Sequence, residues 1–349
     1  MYNYADGVKM KSAAVLGASG YGGGELIRLI DGHPSLQVTY LGAHSQTGKR
    51  LEDVHPQLGD SNRVLEANTA DLEGVDVVFL ALPHGASAPL ASDLAGRGVA
   101  VVDLGSDFRL DTPERYEDAY GSVHPFPDQL ADWTYGLPEL VDMGDTNRVA
   151  SPGCYPTATL LGLAPLLAAG AVAFEGIVVN AVSGVSGAGR SLSENLLFGA
   201  VAEGVTAYGV TTHRHRPEIE MALEAYTGRS PVRLTFTPHL VPMLRGIHAT
   251  ITVPVSDGVT ANDLRGVLAE FGDGKPFYQV VSGPPQTRWA VGSNRAIVSV
   301  YLDESTGNAV ILSVIDNLLK GAAGQAVQAA NLMLGFDEVA GLPNSGWMP

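Results

Sequence analysis

The only cysteine of the chain lies in a segment whose residue types suit covalent chemistry. Cys154 is the sole cysteine among 349 residues, so neither a disulfide nor a cysteine-based metal cage is available to it. The segment Ser151-Pro-Gly-Cys-Tyr-Pro-Thr157 leads into a run of helical character over residues 157–169. Unpaired N–H groups at a helix N-terminus stabilise a thiolate. We therefore expect Cys154 to be a nucleophile with a lowered pKa, against the alternative of a small buried inert residue.

Two histidines in the second half of the chain could move the proton that such a thiol needs. His213 and His215 alternate with Arg214 and Arg216, before a helix that Pro217 and Glu218 are expected to begin. The spacing would permit a metal site, but no further ligand is evident and the arginines would repel a cation. We expect no metal, and one of the two histidines as general acid/base. The spacing does not decide which one, and a basic helix start without a catalytic role remains the alternative.

A glycine-rich turn near the start of the chain has the order of elements found in dinucleotide-binding proteins. Residues 12–16 form a short apolar strand that runs into Gly17-Ala-Ser-Gly20-Tyr-Gly-Gly23, and a helix is expected over Glu25 to Ile30. Strand, glycine turn and helix place N–H groups around a pyrophosphate. A second strand, Leu36 to Ala43, arrives at the distance typical of a βαβ unit.

The residues after this second strand favour NADP over NAD. An NAD enzyme would carry Asp or Glu there for the ribose hydroxyl. This chain has Ser45, Lys49 and Arg50 in that region, and hydroxyls with cations suit a 2′-phosphate. The alternative is that both cations are merely solvated.

The predicted elements indicate two domains of different class. Alternating strands and helices up to residue 150 predict an α/β Rossmann-type domain with a parallel sheet, whose strand ends bear ligand-binding loops. From Gly176 the pattern changes to an α+β domain with a mainly antiparallel sheet, because apolar and polar residues alternate along its strands. The small-residue helix from Asp316 to Asn331 is expected to return to the first domain. We predict domains over 1–150 plus 316–349 and over 151–315.

Composition excludes several classes of function. Lys and Arg number 21 against 37 Asp and Glu, and the net charge of −16 opposes non-specific nucleic-acid binding. With 45% hydrophobic and 17% charged residues the chain is globular. No stretch is long and apolar enough to span a bilayer, and the first six residues lack a signal-peptide pattern. We expect a cytoplasmic protein that binds neither nucleic acid nor membrane.

Together these groups predict one reaction class. A thiolate attacks an acyl phosphate, phosphate leaves, and a nicotinamide cofactor reduces the thioester to an aldehyde. Arginines would neutralise the phosphate or a substrate carboxylate. The second glycine-rich loop, Gly184 to Gly189, would let the nicotinamide come close to the thioester.

The same residues carry a resemblance to a known family. The glycine turn, the Cys154 segment, the loop before Arg190, the His213 to Ile219 segment and the Asp316 to Gln328 helix resemble N-acetyl-gamma-glutamyl-phosphate reductases through nearly the whole chain. The glycine loop and last helix are shared with aspartate-semialdehyde dehydrogenases. The resemblance implies NADPH-dependent reduction of N-acetylglutamyl 5-phosphate to the semialdehyde with release of phosphate, in arginine biosynthesis. It also implies that His215 is the likelier acid/base, with His213 nearby.

A set of binding residues follows from the motifs and the resemblance together. The expected cofactor contacts are Gly17, Ser19, Gly20, Tyr21, Gly22, Ser45, Lys49, Pro83, Ser186, Gly187 and Asn317. The expected substrate contacts are Arg109, Ser183, Arg190, Arg214 and Arg245, with Arg109 holding phosphate. One departure from the family pattern, Ala43-His44-Ser45 after the second strand, leaves the 2′-phosphate contacts open.

Three alternatives remain at this point. Aspartate-semialdehyde dehydrogenase and aminoadipyl-phosphate reductase carry out the same chemistry on a shorter or a longer acid. A regulatory protein that senses NADP would keep the fold without the chemistry and would have an unreactive Cys154. The assembly is expected to be a homodimer or a homotetramer.

Overall fold

The computed structural model describes residues 10–69 and 71–348, and its first half is built on a parallel sheet. The strands, in the spatial order β3-β2-β1-β4-β5-β7-β6, are all parallel. Their bounds are β1 Lys11–Leu16, β2 Leu36–Ala43, β3 Glu66–Ala67, β4 Val77–Leu80, β5 Ala100–Asp103, β6 Thr134–Tyr135 and β7 Arg148–Ala150. The central strands β1, β4 and β5 are almost fully buried, as expected of a sheet covered on both faces.

Helices cover this sheet on both sides. Their bounds are α1 Tyr21–Asp31, α2 Leu51–Val54, α3 Ala88–Gly96 and α4 Pro113–Tyr120, with 3-10 turns at Pro56–Leu58 and Pro127–Asp132. Leu26 and Ile30 of α1 join the core on one face, whereas Ala91 and Leu94 of α3 join the core on the other. The expectation of a Rossmann-type domain is confirmed.

The second half is built on a mixed sheet with the order β12-β13-β14-β11-β8-β10-β9. Four of its pairings are antiparallel, and β8 with β10 and β12 with β13 are parallel. Its strands are β8 Ile177–Ser183, β9 Thr206–Ala207, β10 Leu234–Leu240, β11 Ile247–Pro254, β12 Tyr278–Val280, β13 Ala296–Asp303 and β14 Asn308–Ile315. The mainly antiparallel α+β expectation is confirmed.

One helix occupies the centre of the second half. The helices there are α5 Cys154–Ala168, α6 Phe198–Val201, α7 His215–Thr227, α8 Ala261–Gly272 and α9 Thr287–Ala290, with 3-10 turns at Val185–Ala188 and Glu194–Leu196. Helix α5 is apolar on all sides and packs on β11 and β14 between α7 and α8. A helix of that composition is stable only when enclosed, so its N-terminus is held rigidly.

Near its end the chain packs against the helix that follows β1. A π-helical turn, Leu319–Ala323, leads into α10 Gly324–Met333. Leu319, Ala323 and Val327 join the same core as α1. The domain boundaries at 150/151 and 315/316 stay a prediction. Residues 1–9, which that prediction assigned to the first domain, lie outside the described residues. The expectation about a signal peptide concerns the same residues.

Two local expectations were wrong. Residues 111–140 are rich in Pro, Tyr and Asp, a composition that predicts irregular structure, yet they contain α4, which Thr112 caps by accepting a hydrogen bond from the Arg115 N–H. Helix α7 begins at His215, two residues before Pro217. Helix α5 begins at Cys154 itself, with Gly153 as its N-cap, so the expected position of the cysteine at a helix N-terminus is confirmed.

Candidate active site

The thiol lies at the first residue of α5, where strand β7 passes into the helix through Ser151, Pro152 and Gly153. Gly153 has an extended backbone that any residue could adopt. Glycine is therefore needed there because a side chain would have no room, and not because of the backbone conformation. A Cβ there would lie 2.6 Å from His215 Nε2 and 2.9 Å from Arg109 Nη1. The imidazole and the guanidinium therefore both reach the residue that precedes the nucleophile.

A buried carboxylate fixes this segment. Glu218 accepts hydrogen bonds from the Gly153 N–H at 2.8 Å and from the Tyr135 hydroxyl at 2.9 Å. Arg109 lies 3.5 Å from the same carboxylate and donates to the carbonyls of Ser151 and Leu104, each at 2.8 Å. Because these groups are buried, their bonds specify the position of the loop before Cys154.

Burial raises the pKa of the Cys154 thiol to about 11, and the charge of Glu218 contributes to the rise. The Arg109 guanidinium and the N–H groups at the start of α5 act in the opposite direction without offsetting burial. The expectation of a lowered pKa is thus wrong for the protein without ligands. The thiol is neutral at rest, and a thiolate requires a proton acceptor close by.

The two histidines lie side by side, and His215 is the more enclosed. Their ring centroids are 4.8 Å apart, and the His213 Nδ1 accepts a hydrogen bond from the His215 N–H. Burial and then the Arg214 charge lower the pKa of His213 to about 4, and burial lowers that of His215 well below its usual value. The His215 Nδ1 has no partner in the described structure. Both rings are therefore neutral at pH 7.

A cavity of about 560 Å³ opens in front of the thiol. Chemical groups from several elements line it, including Cys154, Ser183, His213, Arg214 and His215. The remaining wall comes from Tyr155, Tyr208 and the segment between Gly184 and Thr206. Nucleophile, proton acceptor and one exposed cation therefore face the same space.

Two of the five predicted substrate contacts line this cavity, and the other three have different partners. Ser183 and Arg214 line it. Arg109 lies behind the Cys154 segment, in the contacts described above. Arg190 donates to the carbonyls of Ser19 and Val54 in the first domain. Arg245 pairs with Glu25 at 2.8 Å and with Asp316 at 3.0 Å, so it joins the two domains.

The glycine turn after β1 forms a cradle at the N-terminus of α1. Gly17 has a φ of +84°, and a Cβ there would lie 2.2 Å from the Ala81 carbonyl oxygen. A Cβ on Gly23 would lie 2.3 Å from the Gly17 carbonyl oxygen. At Gly22, in contrast, a Cβ would meet nothing within 4 Å. The turn is closed by backbone contacts while the space beside Gly22 in the first turn of α1 is free, which fits a pyrophosphate at the helix N-terminus.

The other predicted cofactor residues divide between the two domains. Ser19, Gly20 and Tyr21 belong to the turn, and Ser45, Lys49 and Pro83 are exposed near the ends of β2 and β4. Asn317 donates to the Ser186 hydroxyl at 3.0 Å, and Gly187 lies next to Asn317 and Ser183. The loop of the second domain is thereby tied to the segment that leads back to the first.

Sequence reasoning missed two groups at this site. Glu218 follows His215 by three residues in α7, so both side chains lie on one helix face, and the corrected helix start would have predicted this. Gly321 touches Cys154 across the domains, with a Cβ position 2.7 Å from the Cys154 Cβ. No pattern in the sequence indicates that contact.

Between residues 10 and 348, leaving out residue 70, no group of three or more His, Cys, Asp or Glu is placed to hold a metal ion. Over the same residues no helix has the length and apolar character that crossing a membrane would need.

Comparisons with known proteins agree with this geometry. The family described as semialdehyde dehydrogenase, NAD binding domain, matches residues 12–143, and the semialdehyde dehydrogenase dimerisation domain matches residues 154–317. The nicotinamide cofactor expected from the glycine turn is supported by the first of these. Two solved aspartate semialdehyde dehydrogenases share the fold: enzyme II from Vibrio cholerae, with a TM-score of 0.71 and 20% identity over 94% of this chain and 99% of that one, and the NADP-bound protein from Candida albicans, with a TM-score of 0.62 and 16% identity over 93% and 99%.

Closer relatives are found among proteins named N-acetyl-gamma-glutamyl-phosphate reductase. The protein of Frankia casuarinae is 46% identical over 97% of this chain and 99% of its own length. Those of Salinispora tropica and Heliobacterium modesticaldum are 47% and 41% identical, over 96% and 97% of this chain and 98% and 100% of their own. Such identity over the full length, with the thiol and the histidines in one cavity, means that the chain belongs to the N-acetyl-gamma-glutamyl-phosphate reductase family of the semialdehyde dehydrogenases.

Proposed function

We propose that this protein reduces N-acetyl-L-glutamyl 5-phosphate to N-acetyl-L-glutamate 5-semialdehyde with NADPH, releasing phosphate, as a step of arginine biosynthesis. The observation that carries the proposal is the convergence of Cys154 and His215 on one cavity. The relatives named for this reaction support it, since their sequences align with nearly the whole chain.

The chemistry of the chain begins with a proton transfer between two neutral groups. The Cys154 thiol gives its proton to the His215 imidazole, and the sulfur attacks the acyl carbon. The bond between that carbon and the phosphate oxygen breaks, phosphate leaves, and a thioester remains on Cys154. A bound NADPH supplies the hydride that the thioester carbon requires. When the aldehyde leaves, His215 returns the proton to the sulfur. His213, stacked edge-on against His215, orients that ring.

Charge in the cavity favours an anionic substrate. Arg214 is exposed and lines the cavity, so it is the proposed partner of the substrate phosphate or α-carboxylate. Arg109 is occupied by two carbonyls and Glu218, and we assign it to holding the Cys154 segment. This replaces the expectation that Arg109 contacts phosphate directly.

The cofactor is proposed to be NADP. The pyrophosphate would meet the N-terminus of α1 at Gly20, Tyr21 and Gly22. Lys49 and Ser45 are exposed just after β2 and are the proposed partners of the 2′-phosphate. Arg50 is occupied by Glu52 at 2.7 Å, so it contributes less. Asn317 and Ser186 would lie beside the nicotinamide.

The test is the reverse reaction, run with the purified protein. N-acetylglutamate 5-semialdehyde, phosphate and NADP should give NADPH absorbance that depends on phosphate. Cys154→Ser should lower this rate by about a thousandfold or more, because a hydroxyl is a far weaker nucleophile at neutral pH. A serine variant at full rate would contradict the covalent mechanism.

The same assay separates the alternatives. Aspartate semialdehyde and aminoadipate semialdehyde, tested in parallel, distinguish a shorter or a longer acid as the substrate. A protein that binds NADP but turns over none of the three would be a sensor. Reactivity of the free thiol does not distinguish these cases, because burial keeps that thiol protonated in either.

The assembly is proposed to be a homodimer formed through the open face of the second sheet. The helices α5, α7 and α8 cover one face only, and the other carries partly exposed Val182 and Leu312 among threonines. The dimerisation-domain description of residues 154–317 supports this choice. Leu312→Arg should produce monomers in analytical ultracentrifugation. A tetramer of the parent protein would require a second interface on another face of the subunit.

The proposal includes a cytoplasmic location, where a lone catalytic thiol stays reduced.

A further inference from the structure

The π-helical turn Leu319–Ala323 lies between the two helices that carry the chemistry. It contacts α1, whose N-terminus forms the cofactor cradle, and α5, whose N-terminus carries the thiol. Its hydrogen bonds run from Gly321 N to Asp316 O and from Ala323 N to Leu318 O, each at 2.9 Å, which are spacings of five residues. Such turns carry one extra residue compared with an α-helix and occur often at functional sites.

Gly321 is the point of contact with the nucleophile. A Cβ there would lie 2.7 Å from the Cys154 Cβ and 3.2 Å from its Cα. The backbone of Gly321 is not left-handed, so another residue could adopt it and only space requires glycine. Glycine in a helical segment costs about 1 kcal/mol relative to alanine, so close approach is the gain that offsets this cost.

The turn is anchored to both domains by polar groups that have no access to solvent. Lys320 is fully buried and donates to Glu139 at 2.6 Å and to Gln328 at 2.7 Å. Asp316, at the start of the segment, accepts from Arg245 and from the Gly292 N–H. Removing one partner of a buried ion pair is costly, so the turn has little freedom to shift.

We infer that Gly321 is a positioning residue, and that the π turn sets the place of the Cys154 sulfur relative to the nicotinamide site. The inference rests on the proposed function for its catalytic consequence, but not for the contact itself. The π turn packs on α1 of the first domain, and its Gly321 backbone packs directly against Cys154. The position of the first domain therefore limits where Cys154 can lie. Gly321 acts on the reaction only through Cys154.

The first experiment compares Gly321→Ala with Gly266→Ala. Gly266 lies in the interior of α8, and a Cβ there would meet nothing within 4 Å, so it controls for the same change in helix propensity. Because Cys154 is the only cysteine, the rate of iodoacetamide alkylation at pH 9 reports its position directly. Gly321→Ala should change that rate at least threefold and lower kcat by about tenfold to a hundredfold, with the KM for NADPH within twofold. Gly266→Ala should match the parent protein; a Gly321→Ala protein that does so too would overturn the inference.

A double-mutant cycle keeps the test independent of turnover. Gly321→Ala should lower Tm by about 5 °C in the parent protein, because an added methyl overpacks the contact. In a Cys154→Gly background the opposing Cβ is gone, and the loss should be less than half as large. Equal losses in both backgrounds, or a double variant that also fails to fold, would mean that the contact is not with Cys154. A failure of the acyl phosphate as substrate would leave these stability and alkylation results intact, so the two proposals fail separately.

Discussion

Two junctions of strand, glycine and helix in the described residues differ in how closely other groups enclose them. At the first, Gly20 precedes α1, and a Cβ on Gly22 in the first helical turn would meet no atom within 4 Å. At the second, Gly153 precedes α5, and His215, Arg109 and Glu218 enclose it. Both present N–H groups at a helix N-terminus.

The difference shows that a helix N-terminus favours negative charge only where burial does not cost more. The open junction can receive a pyrophosphate with its charges intact. At the closed junction burial raises the pKa of the Cys154 thiol to about 11, so the nucleophile is protonated and neutral at pH 7. Ionisation there is coupled to the neutral His215.

The comparison predicts that an added methyl has unequal effects at the two junctions. Gly153→Ala places a Cβ against His215 and Arg109, and it should lower kcat by about a hundredfold by displacing the acid/base. Gly22→Ala adds the same methyl where no atom lies within 4 Å, so it should raise the KM for NADPH modestly and leave the fold unchanged. Steady-state kinetics of both variants measure this. A similar loss of kcat in Gly153→Ala and Gly22→Ala would show that the two junctions do not differ in the room they leave for a side chain.

Reversing a charge near the open junction should change cofactor preference. Lys49→Glu places an anion beside the proposed 2′-phosphate, so the KM for NADPH should rise by about tenfold while that for NADH changes little. Arg265→Glu, on the exposed face of α8, makes the same change in net charge far from this junction. An equal effect on NADPH and NADH would show that Lys49 does not meet the 2′-phosphate.

At the closed junction, neutralising a carboxylate should make the thiol more acidic. Glu218→Gln retains an oxygen for the Gly153 N–H and removes a charge that raises the pKa of Cys154. The pH at which iodoacetamide alkylation reaches half its maximal rate should therefore fall, by up to about one pH unit. Glu220→Gln, whose carboxylate accepts from the Leu234 N–H, serves as the control on the same helix. A profile that stays in place or moves to higher pH would contradict the assigned role.

The smallest predicted effect concerns a buried carboxyl that supports the closed junction. The Asp103 carbonyl accepts from the Ser151 N–H, and its carboxyl lies 3.0 Å from the Ser87 hydroxyl, which also lies 2.8 Å from Asp107. Burial, followed by the charge of Asp107, raises the pKa of Asp103 to about 7. The folded protein thus binds a proton that the unfolded chain releases near pH 4, and stability falls as pH rises between these values. Asp103→Asn mimics the protonated form.

This variant should raise Tm at pH 8 by about 3 °C relative to the parent protein and should have less effect at pH 5. Thermal unfolding followed at both pH values measures the difference. An equal gain at pH 5 and at pH 8 would show that the Asp103 carboxyl is ionised in the folded state throughout this range, which contradicts its raised pKa.

The sequence by itself determined much of this protein. Short runs rich in apolar residues located β1 and β2 to within a residue, because the residues of a strand and of the turn after it are neighbours in the chain. The lone Cys154, the spacing of His213 and His215 and the glycine turn predicted the reaction class. The short helix α4 was missed because its polar residues lie in a segment rich in Pro, Tyr and Asp, a composition typical of irregular structure.

Only the tertiary structure decided how those groups behave. The raised pKa of Cys154, the placement of Arg109 behind the nucleophile and the ion pairs of Arg245 all depend on residues far apart in the chain. Desolvation is set by everything that packs around a group, and no local pattern records it. The contact of Gly321 with Cys154 joins residues 167 positions apart, counted from 154 to 321, and exists only because the last helix returns between the two domains.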